Sequence, residues 1–83
     1  MTKEKLRQVV ETMLQRYSNQ RMLTKYDPEG RKVGHLGHML ISLRDKNFSE
    51  AKAQRWLGYA QCLSVFYGLY TLDELRQLNK EEK

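Results

Sequence analysis

Ser49 to Glu74, SEAKAQRWLGYAQCLSVFYGLYTLDE, restricts the fold more than any other stretch, because it is apolar on too many sides for an ordinary surface helix. At helical spacing Ala53, Trp56, Leu57, Ala60, Leu63, Ser64 and Tyr67 form one stripe with the i, i+3, i+4, i+7 pattern of a buried face. Tyr59, Cys62 and Phe66 form a second stripe beside it. Packing on one core requires an apolar arc of roughly 100°. The helix is therefore either wrapped by other helices or half given to a partner, and it is the expected central helix of the domain.

Its ends are marked. Ser49 is a suitable N-cap, Glu50 places a carboxylate in the first turn, and Gly68 can end the helix in the left-handed conformation that residues with a Cβ avoid. Thr71 followed by Glu74 is a capping box, with Tyr70 and Leu75 placed to close a hydrophobic staple. A last helix therefore starts at Leu72, turns Leu72, Leu75 and Leu78 inward, and frays into Lys80, Glu81, Glu82 and Lys83.

Toward the N-terminus, Leu6, Val9, Val10, Met13, Leu14 and Tyr17 recur at three- and four-residue spacing, predicting an amphipathic first helix opposite a face of Lys3, Glu4, Lys5, Arg7, Glu11 and Arg16. Ser18 to Tyr26 loses that period and reads as a connection. Asp27 and Pro28 then suit an N-cap and first helical position. From there to Lys46, Val33, Leu36, Leu40 and Leu43 give a helical face, while Gly30, Gly34 and Gly37 share a stripe. A glycine in a helix costs about 1 kcal/mol relative to alanine, so the stripe needs a reason. Close packing against another helix, with Gly58 as counterpart, is preferred over an anion-holding loop at Gly30–His38.

The expectation is a single all-α domain spanning 1–83, with four helices at roughly 3–17, 28–46, 50–67 and 72–80 around a hydrophobic central third helix. A domain this small buries only about 60% of its unfolded surface, and a second copy would relieve that, so a homodimer is expected. One Cys excludes an internal disulfide and suits a reducing, cytoplasmic setting. It reads as a buried thiol acting as a small hydrophobe. No apolar run approaches the roughly 20 residues of a membrane span, and no signal peptide is visible, so no membrane partner is expected.

Charge is unevenly shared. Residues 1–46 hold ten Lys or Arg against five Asp or Glu, and residues 47–83 hold five against five, so the net +5 falls in the N-terminal half. That imbalance suits an acidic partner, either nucleic acid or an acidic protein surface. The residues for an anion are Arg16, Arg21, Lys25, Arg31, Lys32 and His35, with Tyr17 and Tyr26 interleaved for stacking.

Other chemistries find little footing. His35-Leu36-Gly37-His38 fits HxGH, which resembles the nucleotide-binding signature of class I aminoacyl-tRNA synthetases and related nucleotidylyltransferases. There the motif follows a strand of a large α/β domain, and this chain has neither strand pattern nor room for one. As metal ligands, His35 and His38 would need Cys62 or Asp45 recruited from elsewhere. Paired with either His, Cys62 would be a nucleophile placed mid-helix among apolar residues, where thiols are usually inert. Neither Walker nor dinucleotide fingerprints occur. No catalytic activity and no cofactor are expected.

Around Gly68 the sequence superficially suggests a helix-turn-helix, but the apolar positions fall one residue out of register and Asp73 and Glu74 would face phosphates. Aromatic excess favours protein contact instead: Trp56, Tyr59, Phe66, Tyr67 and Tyr70 exceed what a small core needs. The partner-binding residues are thus expected to be Trp56, Tyr59, Phe66 and Tyr70. Finally, the run Trp56-Leu57-Gly58-Tyr59-Ala60-Gln61, with Gly68 and then Thr71-Leu72-Asp73-Glu74-Leu75, resembles the C-terminal half of small phage- and prophage-encoded proteins of undefined activity. That resemblance implies a small accessory protein that binds and redirects a host or phage component. A non-catalytic regulator or inhibitor engaging a protein partner is the function expected, with nucleic-acid binding through the basic half as the alternative.

Overall fold

The computed structural model describes residues 1–21 and 32–80, apart from the side chains of Lys32 and Val33. Four helices follow one another among these residues: α1 (Lys3–Asn19), α2 (Lys32–Asp45), α3 (Glu50–Phe66) and α4 (Leu72–Asn79). The fold is all-α. The second helix is described from Lys32; Asp27, Pro28 and Gly30 lie outside the described residues, as does the connection from residue 22 onward. The first helix runs two residues beyond its expected end, through Ser18 and Asn19.

Local chemistry sets the boundaries. Thr2 caps α1, its hydroxyl oxygen accepting from the Lys5 N–H at 3.1 Å, and Ser49 caps α3, accepting from the Lys52 N–H at 3.3 Å. Gly68, at φ +77°, ends α3 in a Schellman motif: the Leu69 N–H donates to the Ser64 carbonyl at 2.8 Å and the Gly68 N–H to the Val65 carbonyl at 3.0 Å. Three residues later the capping box closes in both directions, with the Thr71 N–H on Glu74 Oε1 at 2.9 Å and the Glu74 N–H on Thr71 Oγ1 at 3.1 Å. Two abutting caps turn the chain back sharply. Their junction carries Leu69 and Tyr70 into the core.

The core lies where α1, α2 and α3 meet, with α4 laid against α1. Val9, Val10 and Met13 of α1, Leu36, Met39 and Leu40 of α2, and Leu57 and Ala60 of α3 are its buried centre, joined by Leu69, Tyr70 and Leu75. The first stripe of the central helix is thus its core face. Gly37 gives close packing a specific form, because a Cβ there would come within 2.9 Å of the Tyr17 ring of α1. The expected counterpart is wrong: Gly58 faces open space, with nothing within 4 Å of where its Cβ would be. Tyr17, at the end of the α1 stripe, fills that role because α1 rather than α3 crosses the glycine face of α2.

Candidate protein-interaction face

The second stripe of α3 has no cover among the described residues. Positions 60 and 64 point into the core, and Cys62 lies two residues, or about 200° of helix, from either. Cys62 is exposed rather than buried. Its neighbours on the stripe are open as well, Tyr59 at 53% and Phe66 at 77% exposure, and Leu72 of α4 joins them at 62% instead of turning inward. The staple explains Leu72: Tyr70 and Leu75 are both buried, so the inward space at the start of α4 is taken and Leu72 is left on the other side.

Between α3 and α4, Cys62, Phe66 and Leu72 border a groove of about 560 Å³, which is floored by Gly58, Gln61, Cys62 and Val65 and walled by Phe66, Leu72, Leu75, Arg76 and Asn79. Its lining is mostly apolar. The groove is held open by a reciprocal amide pair, in which Gln61 Nε2 donates to Asn79 Oδ1 at 2.7 Å and Asn79 Nδ2 to Gln61 Oε1 at 2.9 Å. This double bond fixes the C-terminal end of α4 against α3.

The other end of α4 is fixed to α1. Arg16 donates to Glu74 Oε2 at 2.7 Å and to the Leu69 carbonyl at 3.3 Å, and its guanidinium lies 4.1 Å from the centre of the Tyr70 ring. The Arg16 hydrogen bond, together with the Thr71 N–H, holds the Glu74 carboxyl below its ordinary range. A depressed folded value means that this stabilisation is complete above the unfolded value of 4.5 and is lost as pH falls through the lower folded one. Glu74→Gln is therefore expected to melt below the parent chain at pH 7, with the gap closing as pH drops below that window. Paired thermal melts across the acid range check this, and a gap independent of pH would contradict it.

Two expected partner-binding residues prove to serve the fold. Tyr70 is only 5% exposed: the tight Gly68 turn drives its ring under Arg16, its hydroxyl finds no hydrogen-bond partner among the described residues, and burial pushes that hydroxyl's pKa up. Trp56 is half-buried, its ring centre 4.8 Å from that of Phe48, because it belongs to the core stripe rather than to the exposed one. The ammonium of Lys52 sits 4.7 Å from the centre of the Phe48 ring. Tyr59 and Phe66 remain available. Gly58, Gln61, Leu72 and Asn79 were not anticipated as members of the face.

No protein-family model, curated protein or solved structure matches this chain. The assignment of the face therefore stands on geometry. Among the residues expected to hold an anion, Arg16 is drawn into the contacts just described, Arg21 ends α1 at φ +49°, and His35 is exposed with its ring stacked 6.4 Å from that of His38. Lys25, Arg31 and the Lys32 side chain lie outside the described residues. A different cationic group shares a site: Lys3, Arg7 and Lys46, together with Glu50, line a small pocket of about 60 Å³ beside Phe48. Among the described residues no three His, Cys, Asp or Glu side chains gather as metal ligands, and no helix is long and apolar enough to cross a membrane.

Proposed function

We propose that this protein is a non-catalytic binding protein, a phage-type accessory regulator or inhibitor acting in the cytoplasm, whose protein partner docks on the α3–α4 face. One observation carries the reading: Phe66 and Leu72 stand 77% and 62% exposed beside a preformed apolar groove, in a chain whose other large apolar side chains are mostly buried or packed on the core. Exposed apolar side chains gathered round a concave apolar surface are what a partner's side chains fill, and an aromatic at its edge is the residue type that dominates such interfaces. The groove is already formed, with α4 tied to α3 by the Gln61–Asn79 pair and to α1 by the Arg16–Glu74 contact, which lowers the cost of ordering this chain on docking.

The test compares two doubly substituted chains for recovery of the native complex. Tyr59→Ala with Phe66→Ala is expected to reduce recovery at least about tenfold, the effect of losing 1.4 kcal/mol of binding. Arg31→Glu with Lys32→Glu is expected to leave it unchanged. The reverse pattern would contradict the proposal. It would favour the second reading, nucleic-acid binding, for which the grouping of Lys3, Arg7 and Lys46 beside Phe48 is the supporting observation. In that case anisotropy of labelled duplex DNA or single-stranded RNA would fall steeply between about 50 and 200 mM salt.

A further inference from the structure

Resting on this reading, we infer that the occupant of the α3–α4 face is a second copy of the same chain, crossing antiparallel on α3 with the two-fold axis at Cys62. Three observations converge on it. First, the face is complementary to itself. Among the described residues Phe66 is the most exposed of the large apolar side chains, and Gly58 is a position where an added Cβ meets nothing within 4 Å. They lie four residues to either side of Cys62, each about 6 Å along the helix. In an antiparallel pair with its axis at Cys62, residues at equal and opposite distance face each other, so each Phe66 ring meets the partner's Gly58.

Second, Gly58 has no packing role among the described residues. It sits in the middle of a 17-residue helix, where glycine weakens the helix, and it receives no neighbouring side chain from those residues. A partner side chain arriving at that position supplies the missing reason. Third, the charges favour a like partner here. Residues 47–83, which carry the face, hold five Lys or Arg against five Asp or Glu, while the +5 surplus belongs to residues 1–46. The sequence half that carries the face is balanced, so an acidic stranger would be drawn to the other half in preference to this one.

The register makes a geometric commitment. With helix axes about 8–10 Å apart and Cα atoms about 2.3 Å from each axis, the facing Cα atoms at the two-fold stand roughly 3.4–5.4 Å apart. The upper half of that range falls within the span a disulfide bridges. The two Cys62 thiols are therefore expected to link when diamide is added to accept their two electrons and two protons, although the reduced protein associates without the bond.

Sedimentation equilibrium of the reduced full chain from about 1 to 100 µM tests the inference, since an interface centred on one aromatic per copy places dissociation on the order of micromolar. The expected result is a species of twice the 9.9 kDa chain mass at the upper end, linked through Cys62 by diamide. Gly58→Leu separates the dimer from the fold. Its side chain enters open space in the monomer and improves the helix, so its melting temperature in dilute solution does not fall, yet it occupies the position of the incoming Phe66 and raises the dissociation constant at least about tenfold. A reduced chain that stays monomeric at 100 µM overturns the inference. So does a dimer that Gly58→Leu does not weaken or that diamide does not link. None of these three outcomes touches the broader reading, which fails if the Tyr59→Ala, Phe66→Ala chain still recovers its complex in full.

Discussion

Phe66→Ala is expected to weaken association by roughly 30- to 1,000-fold, the equivalent of about 2–4 kcal/mol for a central aromatic of an interface, while leaving the fold intact. The two halves of this expectation come from the same number. At 77% exposure the ring contributes little burial to the isolated chain, and its edge contact with Tyr67, 5.2 Å between centres, is its one ring neighbour among the described residues. Exposed substitutions of this kind usually stay within about 0.5 kcal/mol of the parent, and alanine suits the last turn of α3 at least as well as phenylalanine. Titration calorimetry or sedimentation measures the first half and thermal circular dichroism the second. A variant that unfolds would show Phe66 to be a core residue, and one that associates normally would remove it from the interface.

Leu40→Ala is expected to do the opposite. Leu40 is wholly buried in the cluster joining α1, α2 and α3 and takes no part in the groove. Removing such a side chain costs about 2–5 kcal/mol, including the cavity left behind. A domain of this length has a total stability of only about 4–12 kcal/mol, and each kcal/mol moves the midpoint by about 4–8 °C. The melting temperature should therefore fall by at least about 8 °C. Any loss of binding should follow the folded fraction alone, which is measured by repeating the binding experiment well below the new midpoint.

Helix order was legible in the sequence wherever a period or a cap was written into it. The α1 stripe, the Gly68 stop and the Thr71–Glu74 box each depend on neighbours within one or two turns. The second stripe of α3 was also visible, as was its surplus over what a core requires. Which helix faces which glycine was not visible: Gly34, Gly37 and Gly58 are equivalent in a linear pattern, and only the crossing of α1 over α2 brings Tyr17 to Gly37. The same limit hid the burial of Tyr70 and the packing of Trp56 against Phe48. Aromatic content says nothing of direction, and the turn between the two caps, which buries Tyr70 and exposes Leu72, is a three-dimensional consequence of a local motif. Cys62 carried a usable signal, its angular separation from Ala60 and Ser64, which outweighs the general tendency of free thiols to be buried.

The central claim is that the α3–α4 face is where this protein meets another protein. The most direct measurement replaces Phe66 with a photo-crosslinking benzoylphenylalanine in the native cell, with Gln8 on the exposed face of α1 as the control position. Irradiation is predicted to give a discrete protein adduct from position 66 and none from position 8, with twice the chain mass identifying a second copy. Contradiction would be a position 66 that yields no protein adduct while benzoylphenylalanine placed at Arg31 or Lys32 links the chain to nucleic acid.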